Sequence, residues 1–156
     1  MGFFSFKQNL ILSLTIFFSL FTKSLASQIS VYQVLNDYDF PSGILPKGVE
    51  NYDLDVSTGE FAAYFSGSCS FSLEDSYQLY YEPAIRGHIS KGRLQSLKGV
   101  SVKLFWFWVN IVEVRRAGND LEFSVGFAGA GFPVDNFEES PQCGCGLNCN
   151  FGVSSF

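Results

Sequence analysis

Along residues 51–127 the chain keeps alternating apolar with polar side chains, and that period constrains its fold more than any other feature. Tyr52, Leu54 and Val56 alternate with Asn51, Asp53 and Asp55. A period of two puts one set of side chains on a buried face and the other in water, which is the pattern of a half-buried strand. The same pattern recurs at Phe61, Ala63 and Phe65 after the turn Ser57-Thr58-Gly59, and at Tyr77, Leu79 and Tyr81 after a polar loop from Gly67 to Asp75. Past an interruption at Glu82-Pro83, Ile85 and Ile89 share a face with Gly87, and Arg86, His88 and Ser90 take the other. Lys91-Gly92 and Lys98-Gly99 flank a short segment, Arg93 to Leu97. Gly118-Asn119 turns into a last strand with Leu121, Phe123, Val125 and Phe127. Several strands joined by turns, without βαβ alternation, predict an all-β protein built as an antiparallel β-barrel or roll.

One short N-terminal α-helix is expected in front of the strands. Ser30 as N-cap and Gln33 three positions on fit a capping box. Val31, Val34, Leu35 and Tyr38 then mark one apolar helical face, with Pro41 ending it. The stretch 100–114, VSVKLFWFWVNIVEV, breaks the alternation because both parities are apolar: Val100, Val102, Leu104, Trp106 and Trp108 on one, Phe105, Phe107, Val109 and Ile111 on the other. A strand apolar on both sides is central or covered from outside. The sequence therefore predicts a long strand here, covered by the N-terminal helix, that packs a core or walls a cavity for an apolar ligand.

The first 26 residues read as a cleaved signal peptide. Lys7 gives a positive start, Leu10 to Phe21 is uncharged and apolar, and Ser24-Leu25-Ala26 supplies small residues before the cleavage point. Twelve helical residues rise only about 18 Å, too short to span a bilayer. Residues 27–142 would then form one domain and residues 143–156 a Cys/Gly-rich tail. Localisation in the secretory pathway, in the extracellular space or cell wall or in the endoplasmic reticulum lumen, is expected. Loss of Lys7 and Lys23 leaves 8 basic against 15 acidic residues, a net charge of −7. That balance argues against nucleic acid as a partner and against anionic membranes held by bulk electrostatics. No transmembrane segment is expected in the mature chain.

Four cysteines, Cys69, Cys143, Cys145 and Cys149, entering an oxidising lumen most naturally form two disulfides. Of the three connectivities, Cys69–Cys149 with Cys143–Cys145 is the least favoured, because a C-x-C ring is tight for disulfide geometry. A tetrahedral zinc site completed by Cys69 or His88 is the competing reading, although C-x-C-x₃-C is not a zinc-finger spacing.

The order of these features, including FPSGILPKGVENYDLD, an Ile-x-Gly-x-Ile strand, LQSLKGVSVK, LEFSVG and GFPVDNFEESPQC, resembles the plant DUF538 family over roughly residues 30 to 143. The resemblance implies small secreted proteins of unknown function, with an antiparallel barrel or roll likened to lipid binders of the bactericidal/permeability-increasing type. Binding or hydrolysis of chlorophyll has been proposed for the family. It also implies the pairing Cys69–Cys143 with Cys145–Cys149, because Cys69 and Cys143 match the family's cysteine pair.

No catalytic constellation emerges. His88, the only histidine, sits on a polar strand face, and no G-x-S-x-G elbow, Rossmann, P-loop or zinc-protease motif is present. Asp53 and Asp55 could offer oxygens to Ca²⁺, but two carboxylates make a poor site. Glu74-Asp75 and Glu138-Glu139 are loop acids. The sequence predicts no cofactor, no metal and no catalytic residue. Its function reads as non-catalytic binding of an apolar or lipid-like ligand, with a tetrapyrrole pigment included, through Trp106, Trp108, Phe105, Phe107, Tyr77 and Tyr81. The alternatives are an esterase-type hydrolase of a chlorophyll-like ester using His88, and a structural or interaction protein of the cell wall or endomembranes.

Overall fold

A computed structural model describes residues 29–73 and 77–149. The signal-peptide segment, Glu74-Asp75 and the terminal FGVSSF lie outside the described residues. Helix α1 spans Val31–Asp37 and a 3-10 turn spans Ser42–Ile44. Nine strands follow among the described residues: β1 (Val49–Leu54), β2 (Glu60–Phe65), β3 (Cys69–Leu73), β4 (Tyr77–Ser90), β5 (Arg93–Leu104), β6 (Phe107–Asn110), β7 (Glu113–Ala117), β8 (Asp120–Ser124) and β9 (Gly129–Pro133). A second 3-10 turn, Val134–Phe137, comes last.

The helix begins where the capping pattern places it. Ser30 Oγ accepts from the Gln33 N–H at 3.2 Å, whereas the Gln33 side chain donates to Asp37 rather than returning to Ser30. Val31, Val34 and Leu35 are its buried residues. Asp39, at φ 64°, turns the chain away before Pro41 is reached. The helix packs beside β1 and the first 3-10 turn, not over the aromatic segment as expected.

All pairings are antiparallel, and the strands form a single sheet ordered β1-β2-β4-β5-β7-β8-β9, with β3 on β4 and β6 on β5. The long hairpin β4–β5 is its spine. At the end of the Lys91-Gly92 turn the spine is flanked by β2 and β7, through pairs such as Glu60↔His88 and Gln95↔Glu113. At the opposite end it is flanked by β3 and β6, through Phe71↔Leu79 and Val102↔Val109. Two expected breaks are absorbed inside these strands. Glu82-Pro83 does not end β4 and Lys98-Gly99 does not end β5. The register instead slips between Tyr81 and Arg86, a bulge that bends the sheet. Gly99, at φ 90°, permits the bend, since a Cβ there would lie 2.5 Å from the Ala84 carbonyl oxygen. The segment read as a polar loop contains β3, and the Gly-rich stretch after Phe127 contains β9.

The expected long two-faced strand is in fact a hairpin. Leu104 pairs with Phe107 across the two-residue turn Phe105-Trp106. A two-residue turn reverses the parity of the inward positions, so Val100, Val102 and Leu104 share a face with Phe107, Val109 and Ile111. Two one-sided strands folded back on each other look, in linear sequence, like one strand apolar on both sides.

The sheet rolls but does not close into a barrel, which corrects the barrel expectation. Its ends are joined by a strap instead of a hydrogen-bond ladder. After β9, Val134 N–H donates to Asn119 O, Ser140 Oγ to Ser42 O, and Lys47 N–H to Pro141 O. Gly43 lies so close beneath this strap that a Cβ would meet the Phe137 carbonyl oxygen at 2.3 Å. Gly144 N–H then donates to Ser70 O at 2.7 Å, which brings the strap against β3. The Cys69–Cys143 disulfide fixes it there, and Cys145–Cys149 closes a small ring beyond. This is the pairing that the resemblance implied. The rolled sheet encloses Leu35, Phe40, Ala63, Ile85, Leu121 and Val114, with Tyr81 and Phe71 stacked among them. Among the described residues, no helix is long and apolar enough to cross a membrane.

Candidate functional site: an exposed aromatic hairpin

Apolar side chains in a small domain normally go inside, and the informative exception is a cluster of large ones left in water. Four consecutive aromatics form such a cluster at the β5–β6 turn. Phe105 and Trp106 are 86% and 84% exposed, and Phe107 and Trp108 are 40% and 47% exposed. Phe105 and Trp106 lie 5.9 Å apart between ring centroids, and Trp106 and Phe107 lie 6.0 Å apart. Trp108 leaves the turn on the outer face, where Tyr80 of β4 meets it edge-on at 6.2 Å. Phe107 leaves on the inner face, toward the partly buried Leu104 and Val109.

The turn is not made from turn residues. Phe105 has φ 56°, the left-handed region that two-residue hairpins fill with Gly or Asn. A bulky residue there is strained by about 1–3 kcal/mol, a cost borne where function needs the side chain. Segments 69–73, 77–81 and 100–110, which build this end of the sheet, contain one charged residue, Lys103. Lys103 pairs across from Trp108.

The six residues expected to hold a ligand are therefore split. Phe105, Trp106, Phe107 and Trp108 come together at the tip. Tyr77 lies on the inner face and packs edge-on against Phe132 of β9 at 5.7 Å. Tyr81 is buried in the core. Its hydroxyl donates to Ile44 O at 3.1 Å, and burial pushes its phenol well above the ordinary tyrosine value. Tyr80 joins the tip in its place. The signal that finds it is parity, since Tyr80 alternates out of phase with Tyr77 and Tyr81.

The remaining candidates have structural partners. His88 is exposed between Glu60 and Gln95 in the sheet register, on the polar face with Arg86 and Ser90. Asp55 caps its own turn: hydrogen bonds from Ser57, first its hydroxyl, and then from the Thr58 N–H hold the carboxyl below the usual carboxylate range. Asp53 accepts from the Tyr64 hydroxyl at 2.9 Å. All four cysteines are in disulfides, which removes the thiolates a zinc site would need. An open trough of about 610 Å³ lies on the polar face of β7–β9, lined by the ion pairs Arg93–Glu113 and Arg115–Glu122 and floored by Gly129 and Gly131. It is a charged surface, not an apolar cavity.

Residues 31–138 match the family described as "Protein of unknown function, DUF538". The chain belongs to the DUF538 family. It is also 28% identical over 94 residues to an uncharacterized protein of Arabidopsis thaliana, At5g01610, a match that covers 60% of this chain and 55% of that relative. The match thus spans little more than half the length of this curated relative. The family match takes in the sheet, the aromatic hairpin and the strap as far as Glu138. It stops before the Cys143–Cys149 segment.

Proposed function

We propose that this DUF538 protein is a non-catalytic binding protein that meets an apolar or lipid-like ligand, tetrapyrroles included, at the exposed aromatic hairpin and not inside the roll. The observation that carries the reading is the placement of Phe105-Trp106-Phe107-Trp108 in a turn whose backbone disfavours Phe. A core role for these side chains would leave them buried, and solubility alone would put Asn-Gly there. The hydrolase alternative has less support, because His88 lies near the Lys91-Gly92 end of the sheet, opposite the aromatic tip. Delivery through the secretory pathway fits the N-terminal pattern and the two disulfides.

Both Trp residues of the chain, Trp106 and Trp108, lie in the hairpin, so their fluorescence reports on the site directly. The test is acrylamide quenching of the purified protein with and without a panel of fatty acids, lysolipids, phospholipid vesicles and a chlorophyll-type pigment. At least one is expected to shield the tryptophans, and Trp106→Ala to weaken that shielding. Unchanged quenching with every member of the panel contradicts the proposal. Mass spectrometry of protein from its native source is expected to find Ser27 at the N-terminus. A mature chain retaining residues 1–26 contradicts the secretory reading.

A further inference from the structure

We infer that the surface this hairpin meets is an uncharged or zwitterionic lipid bilayer, into which Phe105 and Trp106 insert, with Trp108, Tyr80 and Lys103 at headgroup level. The inference rests on the binding role proposed above and goes further by naming the occupant.

Shape is the first argument. Small-molecule sites are concave and bury most of the ligand. Phe105 and Trp106 instead stand on a two-residue turn at the end of a hairpin, each more than four-fifths exposed. A single lipid or pigment laid against such a tip leaves most of both rings in water. A bilayer envelops the tip from all sides and needs no matching pocket.

The second argument is the order of side chains along the hairpin. Phe105 and Trp106 are outermost, and Trp108 and Tyr80 follow one step back, in edge contact at 6.2 Å. Trp and Tyr favour the headgroup boundary, where the ring body is apolar and its N–H or O–H stays hydrated. Lys103, in register with Trp108, has a long stem that carries its ammonium to the same level.

Charge selects the lipid. Strands β3, β5 and β6 and the Tyr77–Tyr81 part of β4 contain no acidic residue, and Glu74-Asp75 in the connection between β3 and β4 add negative charge that disfavours an anionic surface. A lone Lys103 is too little to hold an anionic one, since such attachment needs several basic residues. The chain as a whole carries a net charge of −5, and an anionic bilayer would repel it. A bilayer without net charge is the surface that fits.

The experiment adds vesicles of phosphatidylcholine, with and without phosphatidylserine, to the full chain and follows tryptophan emission. A parallel set contains phosphatidylcholine brominated on its acyl chains. A further sample holds short-chain phosphatidylcholine below its micelle concentration. Phosphatidylcholine vesicles are expected to blue-shift the emission, brominated chains to quench it, and high salt or phosphatidylserine to give no gain. Trp106→Ala is expected to lower the partition coefficient about tenfold, the loss of one large buried aromatic. Val56→Ser, 78% exposed in the β1–β2 turn at the opposite end of the sheet, is expected to leave partitioning unchanged. Matching urea midpoints for both variants and the parent show that folding is intact.

A blue shift with lipid monomers but no quenching by brominated vesicles overturns the bilayer inference and leaves the binding proposal standing. No response to either also overturns the bilayer inference, and the binding proposal is then decided by the fatty acids and pigment of the panel above. A blue shift that grows with protein concentration without lipid identifies the tip as an interface between copies of the chain, and also overturns the bilayer inference.

Discussion

Phe105 and Tyr81 show at the residue scale how differently two aromatics of one sheet are used. Phe105 is exposed and held at positive φ, so its presence costs stability. Phe105→Gly is expected to raise the unfolding free energy by up to about 1 kcal/mol, as the left-handed strain is relieved against the entropy of a glycine. Urea denaturation checks this, and a destabilised variant contradicts the strained-tip account. Tyr81 is buried, with its hydroxyl on Ile44 O. Desolvation raises its folded-state pKa, so the protonated form is the one the fold accommodates. The stability linked to it is complete below the unfolded value of about 10 and is lost as pH rises beyond it. Tyr81→Phe is expected to cost about 1 kcal/mol at neutral pH and to flatten the alkaline loss of stability. Unfolding followed at a series of alkaline pH values tests both effects.

At the scale of elements, the bulge and the hairpin decide the shape. Gly99→Ala would put a methyl 2.5 Å from the Ala84 carbonyl oxygen at φ 90°. A loss of about 2 kcal/mol or more is expected, read as a lower thermal midpoint. Much at this scale was legible in the sequence. Alternation located β1, β2, the two halves of β4 and most of β8, and the Ser30 cap located the helix. Alternation also put His88 on the wet face, where the structure has it. The hairpin was not legible, because Phe105-Trp106 carries none of the Gly, Asn or Asp chemistry by which a turn is recognised. With the turn hidden, its parity reversal looked like a strand buried on both sides. β9 was hidden for the opposite reason, since Gly129-Ala130-Gly131 lacks the side chains that make alternation visible. The same concealment shifted the candidate site. The sequence marks the aromatic cluster itself, but its position outside the core cannot be read without the turn, and alternation favours Tyr81 over Tyr80.

For the whole molecule, the roll is held by a strap and a disulfide where a barrel would use a closing ladder. Cys69–Cys143 spans a sequence separation of 74 and Cys145–Cys149 one of 4. Chain-entropy reasoning assigns about 4 kcal/mol to the first and about 2 kcal/mol to the second. Replacing Cys69 and Cys143 by Ser is therefore expected to lower the denaturation midpoint about twice as far as replacing Cys145 and Cys149. Equal effects contradict the strap's role in holding the roll together. Core side chains pack inside the roll and the strap crosses it, and the proposal places the ligand at the aromatic end of the sheet. Amide hydrogen exchange with and without phosphatidylcholine vesicles tests this claim most directly. Protection is expected at residues 103–108 and nowhere along the inner strands. Protection spread over Ile85, Val100 and Leu121, as a ligand lodged inside the roll would give, contradicts it.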